Sequence, residues 1–495
     1  MGKIITTIID RFDGGLTEDK RSGWISNGNI FTTNKFSITK HFDTYTYPKK
    51  LVPYHKTEAV ETKTFDIVKF LQVKNSGGTE RLYGYGVATG TTKAAVYFLS
   101  ADVWTGLVNN ESSTAGRNEM VFFFYKDFIY MWRSNNLMRF DTTGSAVWND
   151  SYQAISFTTL ASPVHHYADD IAYFFTDNKV HTLNDSTWTS NVLTLPSNLK
   201  IMDAVPYGDY LAIGCAPIGT NGVSVVYLWD RDSSLATLSE RIDFGEGELT
   251  HLANLNNRLT AIMDYYLDDG NGLRKGKILI KQRSGAFATT LMELVTDSIL
   301  AAGTIFQGNK VISGNKLYYA GRLNLNGDTR LGIWSVDEFG RATLDTIEEE
   351  ASSYEGIYLL GNTWWIAHSN DGSTNRTDDN LVFSTSLSST YETLIFTKGD
   401  SSIRAKLIGA TVTTEPLPAA GQIVLKYRIN EETDWTTIFT EATDNSISHS
   451  ATNIESSGAN LREFKELQLQ ILSTGGAVVT GLKFKVEITG KDIYE

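Results

Sequence analysis

Apolar positions in this chain come in short runs, each announced by polar turn residues, and the arrangement returns seven times. The copies are Glu80-Arg81-Leu82-Tyr83, Asp127-Phe128-Ile129-Tyr130, Asp169-Asp170-Ile171-Ala172, Asp209-Tyr210-Leu211-Ala212, Asn257-Arg258-Leu259-Thr260, Asn315-Lys316-Leu317-Tyr318 and Asn362-Thr363-Trp364-Trp365. Turn residues followed by branched and aromatic ones mark the start of a strand. With Leu82, Ile129, Ile171, Leu211, Leu259, Leu317 and Trp364 as anchors, the spacings are 47, 42, 40, 48, 58 and 47 residues. A four-stranded blade and its turns take roughly 40 to 50 residues, so the chain is read as all-β with a seven-bladed β-propeller at its centre. A β-solenoid or a pair of β-sandwiches also spaces short strands regularly. The ring is preferred because it removes sheet edges and lets each sheet cover its apolar faces with its neighbours.

A second apolar strand, a polar turn and an aromatic follow most anchors, at 96–104, 137–148, 180–188, 225–230, 278–287, 332–339 and 381–391. Turn-rich tips such as Asp268-Asp269-Gly270-Asn271-Gly272 and Asn324-Leu325-Asn326-Gly327-Asp328 read as hairpin loops, where Gly and Asn tolerate positive φ. The 58-residue gap leaves room for an extra helix or a longer loop over 289–306. Three domains are expected: an extended N-terminal arm at 1–60, the propeller at 61–397 and an antiparallel β-sandwich at 398–495. In the last, Ile423-Val424-Leu425-Lys426-Tyr427-Arg428-Ile429, Leu467-Gln468-Leu469-Gln470-Ile471 and Phe484-Lys485-Val486-Glu487-Ile488 alternate, predicting one buried and one wet face. The arm lacks clean alternation, and it can stay ordered only by lying on its own chain or on a neighbouring subunit.

Composition narrows the function classes. A formal net charge of −13 over 495 residues repels a phosphate backbone, so no specific nucleic-acid partner is expected. The single Cys215, among apolar neighbours, rules out an intrachain disulfide framework or a multi-cysteine metal site and reads as a small buried residue. Thr6, Thr7 and Asp10 interrupt the opening apolar run far short of a signal-peptide core, and no window reaches membrane-spanning length. A soluble, unprocessed chain without membrane insertion is expected.

The candidates for chemistry are weak. His165-His166 leads into a strand, where adjacent side chains point to opposite faces, so the two imidazoles should not share an ion. Asp268, Asp269 and Asn271 lack the alternating spacing of a calcium loop, as do Asn370-Asp371-Gly372 and 324–328. Glu348, Glu349 and Glu350 read as a solvated turn rather than half of a glycosidase carboxylate pair. Trp364-Trp365 and Tyr318-Tyr319 could stack on sugars, but their place in the repeated strand favours packing between sheets, one ring of each pair against the next sheet. No catalytic residue, metal or cofactor is assigned.

Ile8-Ile9-Asp10-Arg11-Phe12-Asp13-Gly14-Gly15-Leu16 resembles the opening of tailed-bacteriophage virion proteins. Phe36-Ser37-Ile38-Thr39-Lys40-His41-Phe42-Asp43 and Tyr47-Pro48-Lys49-Lys50-Leu51-Val52-Pro53-Tyr54 look like the lead-in of phage structural proteins that continue into a propeller-like body. Tyr427-Arg428-Ile429, Asp434-Trp435 and 464–471 resemble end domains of phage tail components. The resemblance implies a non-enzymatic structural protein of the virion, in the tail as nozzle, hub, tip or fibre attachment. Its partners would be other virion proteins and copies of itself, and Phe12, Gly14, Gly15, Phe42, Tyr47 and Pro48 would belong to the assembly arm. The rival readings are a host-attachment protein gripping a surface glycan and, third, a propeller glycoside hydrolase.

Overall fold

The computed structural model describes residues 3–12, 14, 21–23, 36–44, 47–54, 57–62, 65–88, 93–100, 103–112, 122–133, 136–143, 148–218, 222–232, 238–268, 274–296, 305–325, 328–346, 354–361, 363–368, 373–377, 388–397, 403–430, 432–452 and 463–491. Every regular element among them is a strand. They fall into two compact units. One comprises Met1–Lys56, Arg341–Ile347 and Asp378–Glu495, the other Thr57–Gly340 and Glu348–Thr377.

The larger unit is a succession of four-stranded antiparallel meanders, the layout of a β-propeller. The first comprises Phe65–Lys74, Glu80–Ala88, Lys93–Ser100 and Val103–Ser112; the second Phe122–Tyr125, Phe128–Arg133, Asn136–Asp141 and Trp148–Ala154; the third Leu160–His166, Ile171–Thr176, Lys179–Asn184 and Thr187–Thr194. The fourth (Leu199–Tyr207, Tyr210–Pro217, Val223–Trp229, Glu240–Glu246) and fifth (Glu248–Leu255, Arg258–Asp268, Arg274–Ser284, Phe287–Thr296) meet edge to edge through one parallel pairing, Asp243 with Phe287. In the sixth, the strands that belong to this unit are Ile305–Ser313, Lys316–Leu325 and Asp328–Asp337. In the seventh, Tyr354–Leu360, Thr363–His368 and Ser373–Thr377 take their fourth strand, Thr57–Thr62, from far back in the chain, with Thr377 opposite Thr57 and Ser373 opposite Thr62.

Each sequence anchor lies in the second strand of its meander, just after the first hairpin turn. The polar residues that flagged them have a backbone reason. Asp127, Asp170 and Asn257 hold φ of 66°, 55° and 62°, a left-handed geometry that Asp and Asn tolerate better than most residues. Because a second strand is covered on both faces, it reads as an unbroken apolar run. In Phe128–Arg133, Ile129 and Met131 pack with Tyr85 and Val96 of the first meander, whereas Tyr130 and Trp132 pack with Ala172 and Phe174 of the third. The same division recurs in the last meander. Trp364 packs with Ala320 and Ile333 of the sixth, and Trp365 with Phe70, Leu82 and Trp104 of the first. First strands touch the first strands of the meanders before and after them, and Tyr354–Leu360 touches Phe65–Lys74, so the succession returns to its start.

Hydrogen bonds from turn to turn reinforce this packing. The Asn75 side-chain amide donates to the Thr142 carbonyl (3.0 Å), the Tyr125 hydroxyl to the Asp170 carbonyl (2.6 Å), the Tyr207 hydroxyl to the Asn257 carbonyl (3.1 Å) and the Asn256 amide to Glu338 (2.7 Å). Gly340 belongs to this belt. Its φ is +76°, and a Cβ there would come within 2.5 Å of Leu291.

The smaller unit has two principal sheets. One runs Lys3–Ile9, Val479–Lys491, Ile403–Thr414, Ser448–Thr452. The other is centred on Glu466–Thr474, flanked by Gln422–Ile429 and Thr436–Glu441 on one side and by Ser389–Thr393, Ile395–Thr397, Phe36–Lys40 and Arg21–Gly23 on the other. Phe396 of the second sheet meets Phe484 of the first at 4.8 Å between ring centroids.

Several expectations need correction. The stretch over 381–391 is not part of the seventh meander: Ser389–Thr393 pairs with Glu466–Thr474, and 381–387 lies outside the described residues. The boundary expected at 397/398 therefore falls earlier. The segment 289–296 is the long fourth strand of the fifth meander, not a helix; 297–304 lies outside the described residues. Alternation in Gln422–Ile429 gives the predicted buried and half-exposed faces, but Gln468 and Gln470 are buried too. Strands on the same sheet cover them: Gln468 donates to the Ser37 hydroxyl (2.8 Å) and the Thr393 carbonyl (2.7 Å), and Gln470 donates to Glu392 (2.7 Å). Within the N-terminal segment expected to be an extended arm, Lys3–Ile9 and Phe36–Lys40 are instead strands of the two sheets.

Candidate functional site

The residues expected to form an assembly arm divide sharply by burial. Phe12 and Phe42 are fully buried. Phe12 meets Tyr391 edge to face (5.2 Å, 89°), and Phe36 reaches the same ring at 5.7 Å, so three aromatics from distant parts of the sequence share one core. The backbone fixes this seating. The Phe12 N–H donates to the Pro48 carbonyl (2.9 Å), the Lys50 N–H to the Tyr47 carbonyl (2.9 Å), and Leu51 and Val479 exchange two bonds of 2.8 and 3.1 Å. Lys50 and Glu415, both partly exposed, form an ion pair. Phe42 opposes Pro53 in a short ladder, Gly14 is half-buried, and Gly15 lies outside the described residues. Tyr47, at 50%, and Pro48 are the exposed ones among the described members of the six.

Phe12 and Phe42 are thus core residues of their own chain and cannot also anchor a neighbour while this unit is folded. Sequence reasoning missed this because the segment's aromatics are scattered, without a strand period, and Tyr391, the partner of Phe12 and Phe36, lies more than 350 residues away. What the segment does leave outside is an edge: in Lys3–Ile9 the exposed side chains include Ile4 (58%) and Ile8 (51%), whereas Thr7 and Ile9 point into the core. Phe12→Leu should keep most of the buried area yet lose the edge-to-face contact, costing about 0.5–1.5 kcal/mol. Scanning calorimetry should show that loss in the transition of the smaller unit.

The histidine pair behaves as strand geometry requires. His165 contacts Asp170 (2.8 Å), whereas His166 is buried against the Arg231 guanidinium and the Tyr210 carbonyl (3.3 Å). Burial and then Arg231 hold the His166 imidazole below its usual pKa. Asp169 forms an ion pair with Arg231 (2.8 Å to Nε) and accepts from the Tyr173 hydroxyl (2.7 Å). This network ties the turn at 167–170 to Arg231 and does not converge two imidazoles on one point. No His, Cys, Asp and Glu grouping suited to a metal ion occurs among the described residues.

A second polar cluster, unmarked in the sequence, joins first strands of the larger unit. Asp203 accepts from the backbone N–H groups of Ala204 (2.9 Å) and Leu252 (2.7 Å) and pairs with Lys310, whose ammonium also donates to the Leu252 carbonyl (2.8 Å). His251 is buried beside them, and burial first, then Lys310, lowers its pKa to about 3, which keeps the imidazole neutral. Lys69, partly exposed by area but set deep among these strands, is lowered to about 8 by burial, with Asp203 pulling the other way. Asp203 already serves three donors, so the cluster fastens the fourth, fifth and sixth meanders where their first strands meet. Such a group is hard to foresee, since its members stand 107 residues apart and each looks like an isolated charge.

The other sequence candidates resolve into packing or fall outside the described residues. Trp364 and Trp365 are both buried, Tyr318 packs on Trp364 at 5.0 Å, and Tyr319 turns the opposite way to His251 at 6.2 Å. Cys215 is buried among Ile213, Val225 and Trp229, and burial pushes its thiol pKa up, which suppresses thiolate chemistry. Asp268 closes its strand, while Asp269, Asn271, Glu348, Glu349, Glu350 and 370–372 lie outside the described residues.

No protein-family model and no curated protein matches the chain. Among solved structures it is similar to the N-terminal domain of Nup159, at 12% identity and a TM-score of 0.40 over 68% of this chain and 98% of that one. It is also similar to virginiamycin B lyase from Staphylococcus aureus, at 10% identity and a TM-score of 0.40 over 65% and 97%, and to BamB from Moraxella catarrhalis, at 14% and 0.36 over 63% and 82%. At these scores the likenesses carry no argument about what this chain does.

Proposed function

We propose that the chain is a non-enzymatic structural protein of a tailed-phage particle, belonging to the tail, with other virion proteins and copies of itself as partners. In this reading the seven meanders are the blades of one propeller, and the smaller unit is a β-sandwich that the N-terminal strands complete. The observation that carries it is the use made of the N-terminal segment. Lys3–Ile9, which runs into the stretch that resembles the opening of phage virion proteins, is built into a C-terminal sheet, and among the described residues its other side is an unpaired edge with Ile4 and Ile8 exposed. Large apolar side chains on an unprotected strand edge are a means of joining subunits. The glycan-binding alternative is the weaker one, because Trp364 and Trp365, its named aromatics, are engaged in packing between meanders.

Immunogold labelling with antibody against the purified chain tests the assignment on particles from the host that carries this sequence. Label confined to the tail is the expected result. Intact particles that carry none of this chain, checked also by peptide mass spectrometry, would overturn it.

A further inference from the structure

We propose that the strand Lys3–Ile9 is a homodimerisation edge, pairing antiparallel with the same strand of a second copy across a twofold axis at Thr6. The inference deepens the assembly part of the proposed function by naming the occupant of the edge, and it stands whether or not the assembly is a virion.

Lys3–Ile9 is the terminal strand of its sheet, and among the described residues it pairs with Val479–Lys491 alone. Its register runs from Lys3 opposite Ile488 to Ile9 opposite Leu482 without a bulge. Ile4 through Ile9 contain no charge and no proline, so neither of these devices blunts the edge. The opposite edge of this sheet, Ser448–Thr452, is shorter and polar, reading Ser-His-Ser-Ala-Thr. One edge is thus protected by composition and the other is not.

What selects a second copy is the symmetry of the exposed row. Side chains on one face of a strand lie two residues apart, and here that row is Ile4, Thr6 and Ile8. A twofold axis perpendicular to the sheet keeps wet face with wet face, so residues that oppose each other must share parity. Centring the axis on Thr6 places Ile4 against Ile8 of the second copy, Thr6 against Thr6, and Ile8 against Ile4. On the core side, Ile5 then faces Thr7. Every half-exposed isoleucine of the row thus gains an apolar partner, and opposite positions in antiparallel strands are close enough to interact directly.

The flanking charges do not oppose this. Lys485 neighbours Thr6 in the register, and two copies would place their Lys485 residues three strand spacings apart, about 14 Å, beyond the roughly 8 Å screening length at physiological salt. A single seven-residue strand pair lies below the ~1,200 Å² of a standard interface, so a dissociation constant around the micromolar range is expected.

Cysteine cross-linking reads the register directly, because the native Cys215 is buried. Thr6→Cys should form a disulfide-linked species of twice the chain mass under mild oxidation. Ile4→Cys and Ile8→Cys should cross-link when mixed but not alone, because only unlike positions come opposite. Ile447→Cys, at a 57% exposed site elsewhere in the same unit, gives the rate of chance collision. In light scattering of the full chain at tens of micromolar, Ile4→Lys with Ile8→Lys should halve the mass with an unchanged circular dichroism spectrum. Cross-linking of Thr6→Cys no faster than that of Ile447→Cys would overturn the proposal. A mass unaffected by the paired lysines would do the same, whereas absence of the chain from phage particles would leave both results intact.

Discussion

Trp365→Ala is expected to destabilise the larger unit by about 3–5 kcal/mol, the range for removing a buried large aromatic. The ring is 3% exposed and packs with Phe70, at 6.4 Å, and Trp104, at 6.2 Å, both of the first meander. Its removal opens a cavity where the seventh meander meets the first. The effect should not stay local. In a succession of sheets that returns to its start, a weakened junction loosens the cooperative whole, as a frayed end would in an open stack. Amide hydrogen exchange should therefore accelerate in Tyr210–Pro217, in the fourth meander, by much the same factor as in Thr363–His368. Urea unfolding gives the overall loss, and Phe287→Ala, at a ring 67% exposed, should stay within about 0.5 kcal/mol. Faster exchange confined to the seventh and first meanders would mean that the junctions act independently.

Asp264→Asn is expected to stabilise the protein at alkaline pH and to change little at pH 4. Asp264 is buried in Arg258–Asp268, and its carboxyl is pushed up to about 8, first by burial and then by the neighbouring charge of Glu248. Its folded pKa lies above the unfolded value of about 3.9, so the protonated form belongs to the native state. The associated stability is complete below about pH 4 and is lost as pH rises towards about 8, at up to about 1.4 kcal/mol per unit. Asparagine has nearly the same shape and does not titrate, so the gain should grow from pH 4 to 8 and then level off. Urea midpoints for both proteins at pH 4, 6 and 8.5 measure it, and a difference independent of pH would exclude Asp264 as the titrating group. The buried histidines act in the opposite sense. Burial holds His251 at about 3 and His181 at about 4, below the usual 6.5, so their contribution is present above pH 6.5 and lost on acidification.

The strand-rich body was legible because each second strand carries two local signals: a turn residue suited to positive φ and an apolar run that fills both faces of a sheet. Asp127 and Asn257 show the first signal, and Ile129 to Trp132 the second. Where the sequence misled, the deciding contact was remote. Thr57–Thr62 looks like the tail of a featureless arm, and its partner Ser373–Thr377 stands more than 300 residues further along the chain. Phe12 and Phe42 looked like free anchors because neither is bordered by an alternating run, yet Tyr391 and the Leu51–Val479 clip hold the segment in the core. The polar cluster of Asp203, His251 and Lys310 carries no local mark, since a charged residue in a strand reads as solvent-facing until the topology brings its partners together. The exposed row of Ile4, Thr6 and Ile8 was visible as letters; only the pairing with Val479–Lys491 reveals which side of it faces water.

The strand that completes the seventh meander also sets a timetable for the ribosome. Thr57–Thr62 leaves the exit tunnel early, but Ser373–Thr377 follows only after roughly 300 more residues, about 15–60 s at ordinary elongation rates. Lys3–Ile9 waits longer still for Val479–Lys491. Throughout that interval the nascent chain carries two strands with nothing to pair with, one of them rich in isoleucine, while the intervening meanders can already form from local hairpins. Slow codons placed before residue 370 would lengthen this exposure, and a holding chaperone or a crowd of sister chains would find its target in those first sixty residues.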